Sequence, residues 1–246
     1  MAYYNDEQYI AEAVSSILNQ TYKNLIFYCM GDLPENDKSK NIINNFEDDR
    51  ILHYISDKRL CGHGIRNWGL ELLFKEHPDI PYITFQDSDD YSDLYRIEKQ
   101  VEFLDANPQY GMVGNRYIQI NEAGIEILKA DLPLSNYEIK SKHWTYNRIC
   151  GASVMIRREI LLNTGFYDLA FDESWDMELE NRIMQITDVC NLSDYLYYYR
   201  LTARTTEANL IKKKLSFIPI IRYKVICKWL GVEFDKNKYK KAFWEL

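Results

Sequence analysis

The chain alternates short apolar runs with stretches whose apolar residues recur every three to four positions. Residues 25–30 (LIFYCM), 51–55, 80–85, 111–120 and 151–156 are mostly apolar runs bounded by turn-forming residues, the pattern of buried strands. Ile10, Val14, Ile17 and Leu18 share one face of a helix over 5–18, and Leu179 and Ile183 do the same over 176–186. Further helices are predicted over 38–46, 65–74, 94–104 and 157–163, and residues 195–200 read as an aromatic extended segment. Asn5, with Gln8 three residues on, has capping-box spacing, and Asp93 is a natural N-cap for the helix that follows. Gly31–Pro34, Gly62-His63-Gly64, Asn107-Pro108, 121–124 and 165–168 punctuate the pattern, and 129–149 is less regular. Strands alternating with helices predict an α/β domain with a mostly parallel sheet and right-handed crossovers.

Composition adds limits. At 246 residues the chain holds one large domain, or one domain and an appendage. A net charge of −7 argues against a nucleic-acid-binding role. The charge is uneven: from Glu207 onward there are 10 Lys and Arg against 4 Asp and Glu, a net of +6 on a body of −13. Five scattered cysteines with no CxxC point to a reducing compartment and away from zinc or a disulfide framework. No signal peptide is visible, and no run reaches the ~20 apolar residues of a membrane span.

The chemistry concentrates at one place. The run 80–85 ends in Asp87-Ser88-Asp89-Asp90, just before a helix. Open α/β sheets bind ligands at the carboxyl ends of their strands. Carboxylates this close repel one another unless a cation or protons intervene, and a hard, oxygen-seeking cation is the simplest solution. An EF-hand is excluded, because Ser92 stands where its loop needs glycine. His63 and His143 have no partners at ligand spacing and read as structural.

Several stretches, in order, resemble a family 2 glycosyltransferase with a GT-A-type nucleotide-sugar-binding domain. They are Tyr4-Asn5 followed by EQYIAEAVSSILNQTYKNL, a strand ending at Asp32, Arg66-Asn67-x-Gly69, FQDSDD, GASVMIRREILLNTGFYD with WDMELENRI, and YYYRLTARTT. Together they span about residues 3–206. The resemblance implies an inverting, metal-dependent transferase that moves a sugar from a nucleotide sugar, UDP-linked, to a glycan or lipid-linked acceptor, with Mn²⁺ or Mg²⁺ as cofactor. It implies that Tyr4 stacks on the base, Asp32 bonds the base edge, Arg66 approaches the diphosphate and Asp87 contacts the ribose and sugar side. Asp89 would ligate the metal, Asp176 would deprotonate the acceptor hydroxyl, and Asp90 is read as a turn residue or a support behind the metal ligand. A sugar-nucleotide nucleotidylyltransferase would need a glycine-rich loop near the N-terminus, and residues 1–20 contain no glycine.

The chain departs from the family pattern at four points. Met1-Ala2-Tyr3 is all that precedes the Tyr-Asn pair, so the family's first strand is expected to be missing. Gly31-Asp32-Leu33-Pro34 replaces an acidic pair and a small Gly-Ser. Trp175 stands where a Glu usually precedes the catalytic Asp. Thr202 stands where a metal-helping His is usual. The missing strand and Thr202 raise an alternative: a degenerate member that binds nucleotide or a partner without catalysis. Residues 207–246 are expected to form a basic helical extension packed on the 1–206 domain. The alternative is peripheral contact with an anionic membrane on the cytoplasmic side.

Overall fold

The computed structural model describes residues 1–32, 38–143, 147–171, 174–202 and 233. The readings made above for Leu33-Pro34 and for 207–246, and part of the irregular stretch, lie outside these residues. The elements are β1 (Ala2–Tyr3), α1 (Ile10–Leu18), β2 (Phe27–Gly31), α2 (Ser39–Asn44), β3 (Ile51–Ile55), α3 (Cys61–Glu76), β4 (Tyr82–Thr84) and β5 (Tyr91–Ser92). They continue with α4 (Arg96–Ala106), β6 (Tyr110–Ile120), β7 (Glu126–Ala130), α5 (Asn136–Lys142), β8 (Met155–Arg157), α6 (Arg158–Thr164), α7 (Trp175–Met184) and β9 (Asp188–Arg200).

The N-terminal half is parallel, with β1, β2 and β3 side by side. The C-terminal half is mixed: β4 and β6 flank β8 antiparallel, β6 and β9 run parallel, and β5 and β7 add antiparallel edges. The mostly parallel expectation therefore holds for the first half. The second half contains a hairpin, β6–β7, closed by Asn121 and by Gly124 at φ 78, so no crossover helix intervenes there.

Several boundaries move for identifiable reasons. Asn5 does not cap α1: it lies at φ 53, and the Asp6 carbonyl accepts from Tyr9 and Ile10 N–H instead. Gly62-His63-Gly64 lies inside α3, because the Asp32 carboxylate accepts from Leu60 N–H at 2.6 Å and starts the helix early. Asp93 does not cap α4. It closes a preceding turn by accepting from Tyr95 N–H at 2.9 Å, and the helix begins at Arg96. The buried Gln20 supplies the cap from outside, accepting from Ile97 N–H at 2.9 Å while its amide donates to Ser16 and Asp93 carbonyls. Ser135 caps α5, an element within the stretch read as irregular.

The expected missing strand has a short counterpart. β1 pairs with Met30 and Gly31 of β2 and touches Asp87 by one bridge beyond β4. Alongside it, between β2 and β4, lies a cavity of about 530 Å³, lined by Ile17, Phe27, Leu70, Ile83, Val101 and Met155 among others. The Met1 ammonium donates to the Tyr28 carbonyl at 2.8 Å within this apolar slot. Burial pushes that amine down to about 6. Among the described residues no helix is long and apolar enough to cross a membrane.

The slot carries a prediction. The amine binds its proton less readily folded than unfolded, so stability rises with pH between about 6 and 8, by on the order of 2 kcal/mol, and falls as pH drops through that window. Urea denaturation at pH 6, 7 and 8 should show this slope, and Nα-acetylation should remove it. Fusing four β-branched residues before Met1 should raise Tm, since each apolar side chain buried contributes about 1.5–3 kcal/mol. An unchanged Tm would mean that the slot does not accept a strand.

Candidate active site

The acidic turn after β4 is held from several directions. The Gln86 amide donates to the Asp87 and Asp90 carbonyls, both at 3.0 Å, and its Oε1 accepts from Ser92 Oγ at 2.6 Å. Asp87 N–H donates to the Tyr197 hydroxyl at 3.1 Å. The fully buried Arg96 donates to Thr84 Oγ1, Phe85 O and Ser153 O, fixing the strand end that feeds the turn. Arg200, at the end of β9, donates its N–H to Asp90 Oδ1 at 2.7 Å and its Nε to the Asp89 carbonyl at 2.9 Å. Its guanidinium also pairs with Glu12 and lies 4.6 Å over the Tyr9 ring. Arg200 is a site residue that the sequence reading left without a role, although it lies in the late Tyr-Arg motif.

Asp87, Asp89 and Asp90 bring one carboxyl oxygen each within 4.8 Å of one another. Asp90 is the buried member of the three. Burial pushes its carboxyl well above the usual range, and the charges of Asp89 and Asp87 add to the effect. Its Oδ2 is buried without a hydrogen-bond partner. An oxygen-only group with an orphaned buried acceptor fits a hard divalent cation. Asp89 would hold it, with Asp87 alongside and Asp90 buried behind.

A cleft of about 310 Å³ opens on this turn, lined among others by Tyr4, Asp32, Arg59, Arg66, Asp87 and Asp89. Five of the six site residues expected from the sequence thus face one space. Tyr4 is 36% exposed and has the Arg59 guanidinium 3.4 Å over its ring. Asp32 is buried and also pairs with Arg59 at 3.3 Å. Arg66 forms an ion pair with Asp87 and lies 4.7 Å over the Trp175 ring. Asp6 went unnoticed in the sequence. It accepts from Tyr4 N–H at 3.1 Å and from Ser88 Oγ at 2.6 Å, tying the Tyr4 loop to the acidic turn.

Asp176, the sixth, does not line this cleft. It stands in the first turn of α7, where the helix dipole favours a carboxylate. Its Oδ1 accepts from Met177 N–H at 2.8 Å, and Oδ2 accepts from Asn147 Nδ2 at 3.4 Å. Trp175, the residue that departs from the usual Glu, fills the space between Asp176 and Arg66, packing on His63 and Tyr167 as well. His63 is structural in that sense. His143 is not without a partner: its Nε2 stands 3.4 Å from Glu180 Oε2, a neighbour that local spacing could not reveal. Thr202 is buried.

Comparison with known proteins bears on the family and the fold. The sequence model described as glycosyl transferase family 2 matches residues 1–165. An uncharacterized glycosyltransferase of Methanocaldococcus jannaschii, MJ1057, is 29% identical over 221 residues, covering 87% of this chain and 73% of its own. The Escherichia coli UDP-Glc:alpha-D-GlcNAc-diphosphoundecaprenol beta-1,3-glucosyltransferase WfaP is 28% identical over 235 residues, 95% of this chain and 86% of its own. Among solved structures, S. aureus TarS in complex with UDP-GlcNAc superposes with a TM-score of 0.69 at 15% identity, over 89% of this chain and 64% of that one. A mannosyltransferase of Pyrobaculum calidifontis bound to GDP-Man and Mn²⁺ gives 0.66 at 14% identity, over 92% and 62%. The chain thus spans under two thirds of these two solved chains. Family match, relatives and fold together place this chain in glycosyl transferase family 2, with a GT-A-type fold, as a glycosyltransferase.

Proposed function

We propose that the chain transfers a sugar, with inversion, from a UDP-linked donor to a hydroxyl of a glycan or lipid-linked acceptor, with Mn²⁺ or Mg²⁺ at the acidic turn. One observation carries this reading: a single cleft joins an aromatic ring, a buried aspartate, an arginine and three clustered carboxyl groups. These are the groups that a base, a diphosphate and its counter-ion require. WfaP is named for a UDP-glucose donor and a diphosphoundecaprenol acceptor, and TarS binds UDP-GlcNAc. Both support the donor class, and the first supports a lipid-linked acceptor.

Each residue then has a task. Tyr4 stacks on the base, and Asp32 bonds its edge after exchanging Arg59. Arg66 leaves Asp87 for the diphosphate, and Asp87 turns to the ribose and sugar side. When bound by Asp89, the cation offsets the charge that grows on the leaving diphosphate. Asp176, kept ionised by the α7 N-terminus, removes the proton of the attacking hydroxyl. Attack from the face opposite the leaving group inverts the anomeric centre.

The buried Thr202, at the position of the usual metal-helping His, favours the second reading, a member that binds nucleotide without turnover. UDP release with Mn²⁺ across a panel of UDP-sugars separates the two. Turnover should appear with at least one donor. Asp89→Ala should abolish turnover, and Asp176→Asn should lower kcat by roughly 10²–10⁴-fold with UDP binding intact. UDP binding without turnover on any donor would sink the transferase reading in favour of the second.

The basic 207–246 stretch, net +6 by composition, supports peripheral contact with anionic lipid on the cytoplasmic side. The full chain should co-sediment with anionic vesicles more than residues 1–206 do, and salt should weaken it. Equal binding by both would rule the contact out.

A further inference from the structure

Helix α7 carries a second acid one turn beyond Asp176. Glu180 is 3% exposed, and the Asn147 amide approaches its carboxyl group without closing a hydrogen bond of normal geometry. It lies close to Asp176 because Gly151 leaves room. A Cβ there would stand 3.0 Å from Glu180 Oε1 and 3.2 Å from Asp176 Oδ2. On its other side, Glu180 Oε2 stands 3.4 Å from His143 Nε2. The Arg148 N–H donates to His143 Nδ1 at 3.4 Å, so the neutral ring carries its proton on Nε2, facing Glu180. Among the described residues no Lys or Arg forms an ion pair with Glu180.

Two carboxyl groups in one small space do not both ionise readily, and their surroundings decide which keeps the proton. Asp176 is half-buried, at a helix N-terminus, with N–H donors on it. Glu180 is enclosed. Burial pushes its carboxyl well above the usual range, Asp176 pushes it further, and Asn147 opposes part of that rise. Burial pushes His143 down to about 4, so it gives Glu180 no positive charge at neutral pH. Tyr167, within electrostatic reach of Asp176, Glu180 and Arg66, is neutral as well. Arg66 is turned to Asp87.

We propose that Glu180, seated on His143, is a positioning residue for Asp176: an acid that stays protonated, so that Asp176 alone carries the charge and faces a hydroxyl group rather than a second carboxylate. This rests on Asp176 being the base, as proposed above. No proton leaves Glu180 in the reaction. The acceptor proton goes to Asp176, and Glu180 sets how readily Asp176 takes and holds it.

The test uses Glu180→Gln, Glu180→Leu and Asp176→Asn in the full chain. An infrared difference spectrum of wild type minus Glu180→Gln at pH 7 should show a protonated-carboxyl band. Glu180→Leu should lower kcat at neutral pH about tenfold with donor KM unchanged. It should also move the acid limb of the kcat profile up by about one pH unit, as the Asp176 carboxylate loses its polar neighbour in an enclosed space. Glu180→Gln should recover most of that loss. Carboxylate bands in the difference spectrum would overturn the proposal, as would an unmoved acid limb in Glu180→Leu. If Glu180→Leu fails to fold, the infrared result alone decides. Transfer retained by Asp176→Asn would overturn the base assignment and this proposal with it. An inactive Asp176→Asn beside an unmoved limb in Glu180→Leu would overturn the Glu180 role alone.

Discussion

Holding carboxyl oxygens of Asp87, Asp89 and Asp90 within 4.8 Å of one another is costly. Two ionised groups at that range repel by about 3–4 kcal/mol at the effective dielectric of a protein surface. The surrounding structure answers in two ways. It buries Asp90 so that one charge is discouraged, and it fixes the backbone of the turn with groups that do not depend on those charges. Gln86, Tyr197, Arg96 and the Arg200 N–H and Nε all bind main-chain atoms or the Asp90 side chain. These anchors come from β4 and its extension, α4 and β9. The sheet therefore holds the turn in place before any ligand arrives, which is the sense in which a site is preorganised.

The same solution recurs at α7. Asp90 and Glu180 are both enclosed acids beside more accessible ones, Asp89 and Asp176. In each pair burial discourages charge on the enclosed member, and the neighbouring carboxylate adds to that effect. Trp175, beside Asp176 in the chain, stacks with Arg66, which pairs with Asp87, so one aromatic ring bridges the two acidic regions.

Much of this was legible in the linear chain, because the informative signals are local. The apolar runs marked β2, β3, β4, β6 and β8, and the FQDSDD stretch marked the turn. What escaped is non-local. Gln20 caps a helix 77 positions away, Arg200 holds a turn 110 positions away, and Glu180 meets His143 across two helices. No periodicity encodes such pairs. The Asn5 capping box failed because the Tyr4 loop must bend at φ 53 to aim Asp6 at Ser88. Gly62 and Gly64 read as breakers, yet Asp32 starts α3 ahead of them. The antiparallel half of the sheet escaped because an apolar run does not state its direction.

The bonds made by Asp6 have a geometric consequence. One carboxylate oxygen accepts from the backbone beside Tyr4 and from the Ser88 hydroxyl, so the aromatic ring and the acidic turn move as one body. Their separation works as a ruler. For a donor bound as proposed, the base sits at one mark and the two phosphates at the other. A nucleotide one phosphate shorter leaves one mark unoccupied. For a donor bound in that way, length measured along this jaw would favour diphosphates before any contact with the sugar is made.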